Sequence, residues 1–261
     1  MNATPKKSLG QHWLYDEAML RAICDSAEVG KGDTVLEVGP GLGTLTKQLV
    51  QRAESVVAVE FDQELADALP TTIDDGVLQV VHEDILKFDL TMLPPGYKVV
   101  ANIPYYLTSN LIRVLCESPN PFSIAAILIQ KEVAERVVAK PGQMSLLSVS
   151  AQYYCEASLG VFVGKELFTP PPKVDSQVLA LRRREEPLFE DVNTKQFFRI
   201  VKAGFSQKRK TLLNSLSAGL AISKDEAKQL LESADVPAGH RAQALSLEDW
   251  YALYEVASQT K

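Results

Sequence analysis

The stretch VVANIPYYLTS, Val99 to Ser109, begins as a buried strand and stops at an asparagine, a proline and two tyrosines. It gathers amide groups, a fixed backbone and flat aromatic faces at a strand end, where an open α/β sheet keeps its ligands. Further groups capable of chemistry sit at comparable places. VLEVGPGLGTLT reads as a strand, a glycine turn and a helix start, with Glu37 two residues before the first of Gly39, Gly41 and Gly43. Such a turn brings backbone close to a ligand and aims N–H groups at it. Glu60 ends the next strand, SVVAVE, and Asp84 follows the third in HEDI.

The glycine spacing, with Thr44 after Gly43, misses the G-x-G-x-x-G of dinucleotide folds. Glu37 is a poor neighbour for a phosphate and a good one for an ammonium. Glu60 is placed to hold two ribose hydroxyls, and Asp84 to accept from an exocyclic adenine amine. Each carboxylate alone reads equally well as surface charge. Three at successive strand ends, in this order, describe a ligand with adenine, ribose, a cationic amino-acid end and no phosphate. Those features describe S-adenosylmethionine, held by Glu37, the turn with Gly39 and Gly41, Glu60 and Asp84, and no metal is called for.

The elements that must position these groups alternate in the manner of a doubly wound parallel sheet. Helices are expected over 15–28, 42–53, 63–69 and 109–116, and strands over 33–39, 55–60, 77–81, 98–102 and 124–129. After Lys131 come a helix near 132–138, a Pro141–Gly142 break, a helix near 146–154 and two late strands, 157–163 and 176–182, suited to an antiparallel edge hairpin. From about Pro187 the pattern is helical only, with Phe197, Phe198, Val201, Phe205, Leu212, Leu213 and Leu216 at helical spacing. The boundary is therefore set at 1–186 for the catalytic α/β domain and 187–261 for a small all-helical domain.

The chain has 261 residues, 46% of them hydrophobic, enough to build its core without a metal or a disulfide. It has neither an apolar run of transmembrane length nor a signal peptide, which leads to the expectation of a soluble, cytoplasmic protein with no membrane partner. Cys24, Cys116 and Cys155 lie among apolar neighbours and read as core thiols. The net charge of −6 argues against indiscriminate nucleic-acid binding, yet the positive charge is concentrated late. Residues 1–180 hold 14 Lys and Arg against 22 Asp and Glu, whereas 181–261 hold 13 against 11. No acid interrupts Lys195, Arg199, Lys202, Lys208, Arg209, Lys210 and Lys224 between Asp191 and Asp225. The run is either a solvated helix face or a stripe that tracks phosphates.

Asn-x-Pro-Tyr after the fourth strand resembles the N/D-P-P-Y-type motif of enzymes that methylate exocyclic amines of nucleobases. The chemistry accounts for the residues. The N6 lone pair of adenine is delocalised into the ring, and acceptors that hold its hydrogens favour a nucleophilic, pyramidal nitrogen. Asn102 offers a side-chain oxygen, Pro104 keeps Ile103 extended so that its carbonyl can face the same amine, and Tyr105 offers a face for stacking an extruded base.

The whole chain, from about Lys6 to Tyr254, is similar to the ribosomal RNA adenine N6,N6-dimethyltransferases, Rossmann-like class I methyltransferases acting on two neighbouring adenosines near the 3′ end of small-subunit rRNA. EVGPGLGTLT, NIPYYLTS, KKSLGQHWL, LIQKEVAERVVAKPG, LSVSAQYY, FTPPPKVDSQVLAL and FSQKRKTLLNSL carry the resemblance. It implies that Phe168 sandwiches the base opposite Tyr105, that His12 and Leu14 close the cofactor pocket and Gly39 lines it, that Glu60, Asp84 and Asn102 bind the cofactor or the base, and that Lys202, Lys208, Arg209 and Lys210 grip rRNA backbone. It further implies a small-subunit precursor as partner and a role in its assembly; a monomer is the default expectation. Two departures stand out. The family's Gln-Asn-Phe-Leu is here Gln11, His12, Trp13 and Leu14, so that His12 is either a cofactor contact or a surface histidine on an arm. KPGQMSLLSV is shorter than its counterpart and lacks the tyrosine and glycine found there. Two other functions compete: methylation of a single adenine of large-subunit rRNA, and a binding or assembly factor without catalysis.

Overall fold

A computed structural model describes residues 5, 6 and 9–259; Lys7 and Ser8 of the KKSLGQHWL stretch lie outside the described residues. The elements in chain order are β1 (Trp13–Leu14), α1 (Glu17–Ser26), β2 (Thr34–Val38), α2 (Thr46–Val50), β3 (Ser55–Glu60), α3 (Gln63–Thr72), β4 (Leu78–His82), β5 (Lys98–Asn102), α4 (Thr108–Glu117), β6 (Ile124–Gln130), α5 (Lys131–Val137), α6 (Leu146–Tyr154), β7 (Cys155–Val163), β8 (Phe168–Thr169), β9 (Ser176–Arg183), α7 (Thr194–Phe205), α8 (Leu212–Leu220), α9 (Lys224–Ser233) and α10 (Leu247–Gln259). The chain forms two compact units, Met1–Glu135 with Cys155–Arg183, and Arg136–Tyr154 with Arg184–Lys261. Reading the sequence alone places 136–154 with the sheet, whereas its contacts lie with the helices, through Met144, Val149 and Tyr153.

The first unit is built on a seven-stranded sheet of order β4-β3-β2-β5-β6-β9-β7. The first five strands are parallel, and β9 runs antiparallel to both β6 and β7. TVLEV, SVVAVE and IAAILIQ are near-continuous aliphatic runs because both faces of a parallel sheet are covered. The strand order reverses between β2 and β5, so the crevice at their carboxyl ends is where a ligand is expected. Asp16 and Asp62 cap α1 and α3 by accepting from Met19 and Glu64 N–H groups. β1 and β8 form a separate two-stranded pair, Leu14 opposite Phe168, too short for any periodicity to announce. All three cysteines are buried, with the Cys116 and Cys155 sulfurs 4.0 Å apart.

The second unit is helical. Its core joins Tyr153, Phe197, Phe198, Leu212, Leu216, Leu231 and Trp250, with Tyr153 and Phe197 ring centroids 4.9 Å apart. Small residues allow close helix packing: a Cβ on Gly219 would lie 2.7 Å from Ala203, and one on Gly204 only 2.3 Å from the Trp250 ring. α9 opens with a reciprocal capping box between Ser223 and Glu226.

Candidate active site

The carboxyl ends of β2, β3, β4 and β5 surround a cavity of about 290 Å³, at the lower end of the range for small-molecule sites. Among its lining are His12, Leu14, Gly39, Gly41, Glu60, Asp84, Asn102, Ile103, Pro104, Tyr105 and Phe168. Among the described residues no lysine or arginine lines it, while Glu60, Glu83 and Asp84 do. Such a wall sets acidic side chains against a pyrophosphate and suits a neutral or cationic ligand.

The glycine turn needs left-handed backbone at Gly39, Gly41 and Gly43, with φ of 70°, 57° and 78°. The helix expected over 42–53 is only Thr46–Val50, because residues 41–45 are spent on turns. The donors at this rim are therefore turn N–H groups and not a helix N-terminus. A Cβ at Gly39 would approach the Asn102 carbonyl to 3.6 Å, so β2 and β5 meet here backbone to backbone.

Glu60 is the hub of the rim. Its carboxylate accepts from the Gly41 N–H at 3.1 Å and the Asp62 N–H at 2.8 Å, tying the glycine turn to the end of β3. Burial raises its pKa, against the lowering effect of these two N–H groups. The neighbouring Asp62, buried, accepts from Lys6 Nζ at 2.9 Å and from Gln11 Nε2 at 3.3 Å. Asp62 and Gln11 were not singled out by the sequence reading. Their signal was an N-cap aspartate two residues after the strand-end glutamate, and a polar arm before it.

Glu37 does not reach the cavity, contrary to its expected place beside the ligand. It is 1% exposed and packs with Thr46, whose hydroxyl is likewise buried. Burial pushes its pKa to about 8; Thr46 opposes the rise and Glu60 adds to it.

Asp84 is partly buried and accepts from the Leu86 N–H at 3.0 Å. Asn102 ends β5, which is paired on both sides by β2 and β6. Ile103 is buried, Pro104 has φ −57° and ψ 135°, and Tyr105 opens a single 3₁₀ turn ending at Leu107. The Tyr105 hydroxyl lies 2.8 Å from Ser176 Oγ. His12 is no free surface histidine: its ring stacks on Tyr105 with centroids 6.3 Å apart and planes 20° from parallel. Its Nδ1 lies 2.7 Å from the Pro170 carbonyl oxygen, which can only accept, so Nδ1 carries the proton. Trp13 Nε1 is buried without a partner beside Gly41. Phe168 lines the cavity but is only 4% exposed, packed in the core with Leu14. Among the described residues, no group of three or more His, Cys, Asp or Glu is placed to hold a metal ion, and no helix is long and apolar enough to cross a membrane.

In the helical unit, Lys195, Arg199 and Lys202 are exposed on α7 at i, i+4 and i+7, and Lys208, Arg209 and Lys210 are exposed just beyond its end. The four cations expected to touch RNA, Lys202, Lys208, Arg209 and Lys210, are thus all exposed.

Comparison with known proteins agrees with this geometry. Residues 2–259 match the family described as Ribosomal RNA adenine dimethylase. The chain is similar to Ribosomal RNA small subunit methyltransferase A of Dehalococcoides mccartyi strain CBDB1, with 41% identity over 95% of this chain and 87% of that protein. It is 38% identical to the protein of that name from Clostridioides difficile strain 630, over 96% and 90%. Among solved structures it resembles the 23S rRNA methyltransferase ErmE, with a TM-score of 0.76 and 30% identity, covering 95% of this chain and 100% of that one. It also resembles a dimethyladenosine transferase from Plasmodium falciparum, with a TM-score of 0.79 and 26% identity over 95% and 98%. The protein is a methyltransferase enzyme and belongs to the ribosomal RNA adenine dimethylase family.

Proposed function

We propose that the protein methylates N6 of two adjacent adenosines near the 3′ end of small-subunit rRNA, twice each, with S-adenosylmethionine as methyl donor, and that it acts on a precursor of that subunit in the cytoplasm. The observation that carries this reading is a cavity that has the glycine turn, Glu60, Asp84, Asn102 and Tyr105 in its wall and, among the described residues, no lysine or arginine. The residues fit the donor: a left-handed glycine turn admits a ligand close to backbone, Glu60 and Asp84 offer acceptors to ribose hydroxyls and an adenine amine, and the described lining carries no cationic side chain. His12, Leu14, Gly39 and Gly41 complete that wall. When bound, S-adenosylmethionine supplies a methyl already activated on a sulfonium.

The chain's own residues do the rest by placement. Asn102, fixed at the end of a strand held on both sides, accepts from the target amine and favours its pyramidal form. Ile103 is anchored by its buried side chain and kept extended by Pro104, which lets its carbonyl take the second amine hydrogen. Tyr105, whose pKa burial raises, stays a neutral phenol and gives the base a flat face; Phe168 takes the opposite side. Alignment of amine and methyl then supplies most of the rate enhancement. Lys202, Lys208, Arg209 and Lys210 hold RNA backbone in a sequence-independent way.

The likeness to a 23S rRNA methyltransferase names the competing acceptor. Offering the enzyme labelled donor with small-subunit particles lacking dimethyladenosine, and separately with large subunits, distinguishes them. Label in the small subunit alone is expected; label in the large subunit alone would replace this reading. Donor binding without transfer to either would point to a non-catalytic assembly factor.

A further inference from the structure

We propose that Ser176 is a positioning residue for Tyr105, fixing the ring against which the target base stacks. The two belong to different motifs, NIPY and FTPPPKVDS, separated by 71 positions, and meet through a single 2.8 Å hydrogen bond between hydroxyls. The inference deepens the base-methylation reading above and rests on it.

The two ends of this bond differ in stiffness. Tyr105 begins a single 3₁₀ turn between β5 and α4, outside any ladder. Ser176 begins β9, where it pairs with Gln130 of β6 on one side and Val163 of β7 on the other. A strand held on both sides thus lends its rigidity to the end of an aromatic side chain in a turn. Ser176 is wholly buried at the head of the otherwise aliphatic run VLAL. A buried hydroxyl is tolerated where it finds a partner, and the partner recorded here is Tyr105. Its neighbours Gln130, Val163 and Asp175 leave it that role: the Asp175 carboxylate accepts from the Lys165 N–H and its carbonyl from the Lys131 N–H.

The bond constrains what stacking needs. Holding the phenolic oxygen fixes the direction of the ring axis, and a phenol prefers its partner near the ring plane, which restrains rotation about that axis. The ring is then presented to the cavity in one orientation before the base arrives. Releasing it costs alignment of the target amine, an effect seen in turnover and not in donor affinity. This is the readout that separates positioning from simple packing.

The test is a double-mutant cycle of Ser176→Ala and Tyr105→Phe, each of which removes the same bond from one end, with small-subunit particles as acceptor. Each single variant is expected to lower kcat by about tenfold to a hundredfold, with the dissociation constant for S-adenosylmethionine, measured by calorimetry, unchanged. The double variant is expected to be no slower than the worse single one. Losses that multiply, a Ser176→Ala enzyme with full kcat, or a weakened donor affinity in either single variant would overturn the proposal. If Ser176→Ala does not fold, an unimpaired Tyr105→Phe enzyme overturns it equally. Absence of transfer by the unsubstituted enzyme in the same assay would remove the base-methylation reading itself, whereas full activity in all variants removes only the role of Ser176.

Discussion

The two units manage charge in opposite ways. The sheet unit buries three acids, Glu37, Glu60 and Asp62, of which Glu60 lines a cavity that, among the described residues, no lysine or arginine lines. The helical unit keeps aromatic and aliphatic residues inside and displays Lys195, Arg199, Lys202, Lys208, Arg209 and Lys210 to solvent. Buried carboxylates respond to pH and to the loss of a single hydrogen bond, while exposed cations respond to salt and act collectively. The difference teaches where each unit's specificity comes from: geometry in the first, charge density in the second.

Ways to break this contrast follow from it, beginning with the largest effect. Glu37 titrates near 8 in the folded chain against 4.5 for an ordinary glutamate. Between those values the folded state holds a proton that the unfolded state has released, so stability falls as pH rises through that window, and is unaffected below and above it. Glu37→Gln should flatten the fall and leave the protein more stable at pH 8, by an amount on the order of a few kcal/mol. Denaturant titrations from pH 5 to 9 check this; parallel profiles would contradict the buried-acid picture. Glu60→Ala leaves the Gly41 and Asp62 N–H groups without their acceptor and should weaken S-adenosylmethionine binding by about a hundredfold. Calorimetry reads this directly, and retained affinity would remove Glu60 from the site.

In the helical unit the corresponding weak point is packing. Gly204→Ala places a methyl 2.3 Å from the Trp250 ring and should cost about 1–3 kcal/mol, read from the denaturation midpoint. The smallest effect is expected from neutralising Lys208, Arg209 and Lys210 together to glutamine. RNA affinity should fall by about tenfold at moderate salt, with a salt slope shallower by about 2 and stability unchanged. An unaltered slope would return these cations to the status of a solvated face.

How much of this was legible in the sequence differs between the units for the same physical reason. Strands β3 and β5 lie where SVVAVE and KVVAN place them, and α6 over 146–154 likewise, because bounded aliphatic or periodic runs leave few alternatives. The antiparallel edge formed with β7 and β9 also agrees. The pair β1 and β8 was illegible, since two residues carry no period. The affiliation of 136–154 depends on tertiary contacts of Met144, Val149 and Tyr153 that no local pattern encodes. At the site, Glu60, Asp84 and Asn102, expected there from their places at strand ends, all line the cavity. The same logic misplaced Glu37, because proximity along the chain does not reveal that Thr46 and the sheet enclose it. Ser176 was hidden for the complementary reason: its partner is distant in sequence, and a lone hydroxyl at a strand start has no spacing to betray it.

The most direct test of the central claim is to identify, by nucleoside mass and position, the product formed on small-subunit rRNA by the unsubstituted enzyme and by Asn102→Ala. N6,N6-dimethyladenosine at two adjacent positions near the 3′ end, with the rate cut by about a hundredfold to a thousandfold in the variant, is the predicted result. A single monomethylated adenosine, a product elsewhere in the rRNA, or an Asn102→Ala enzyme of ordinary speed would contradict the account.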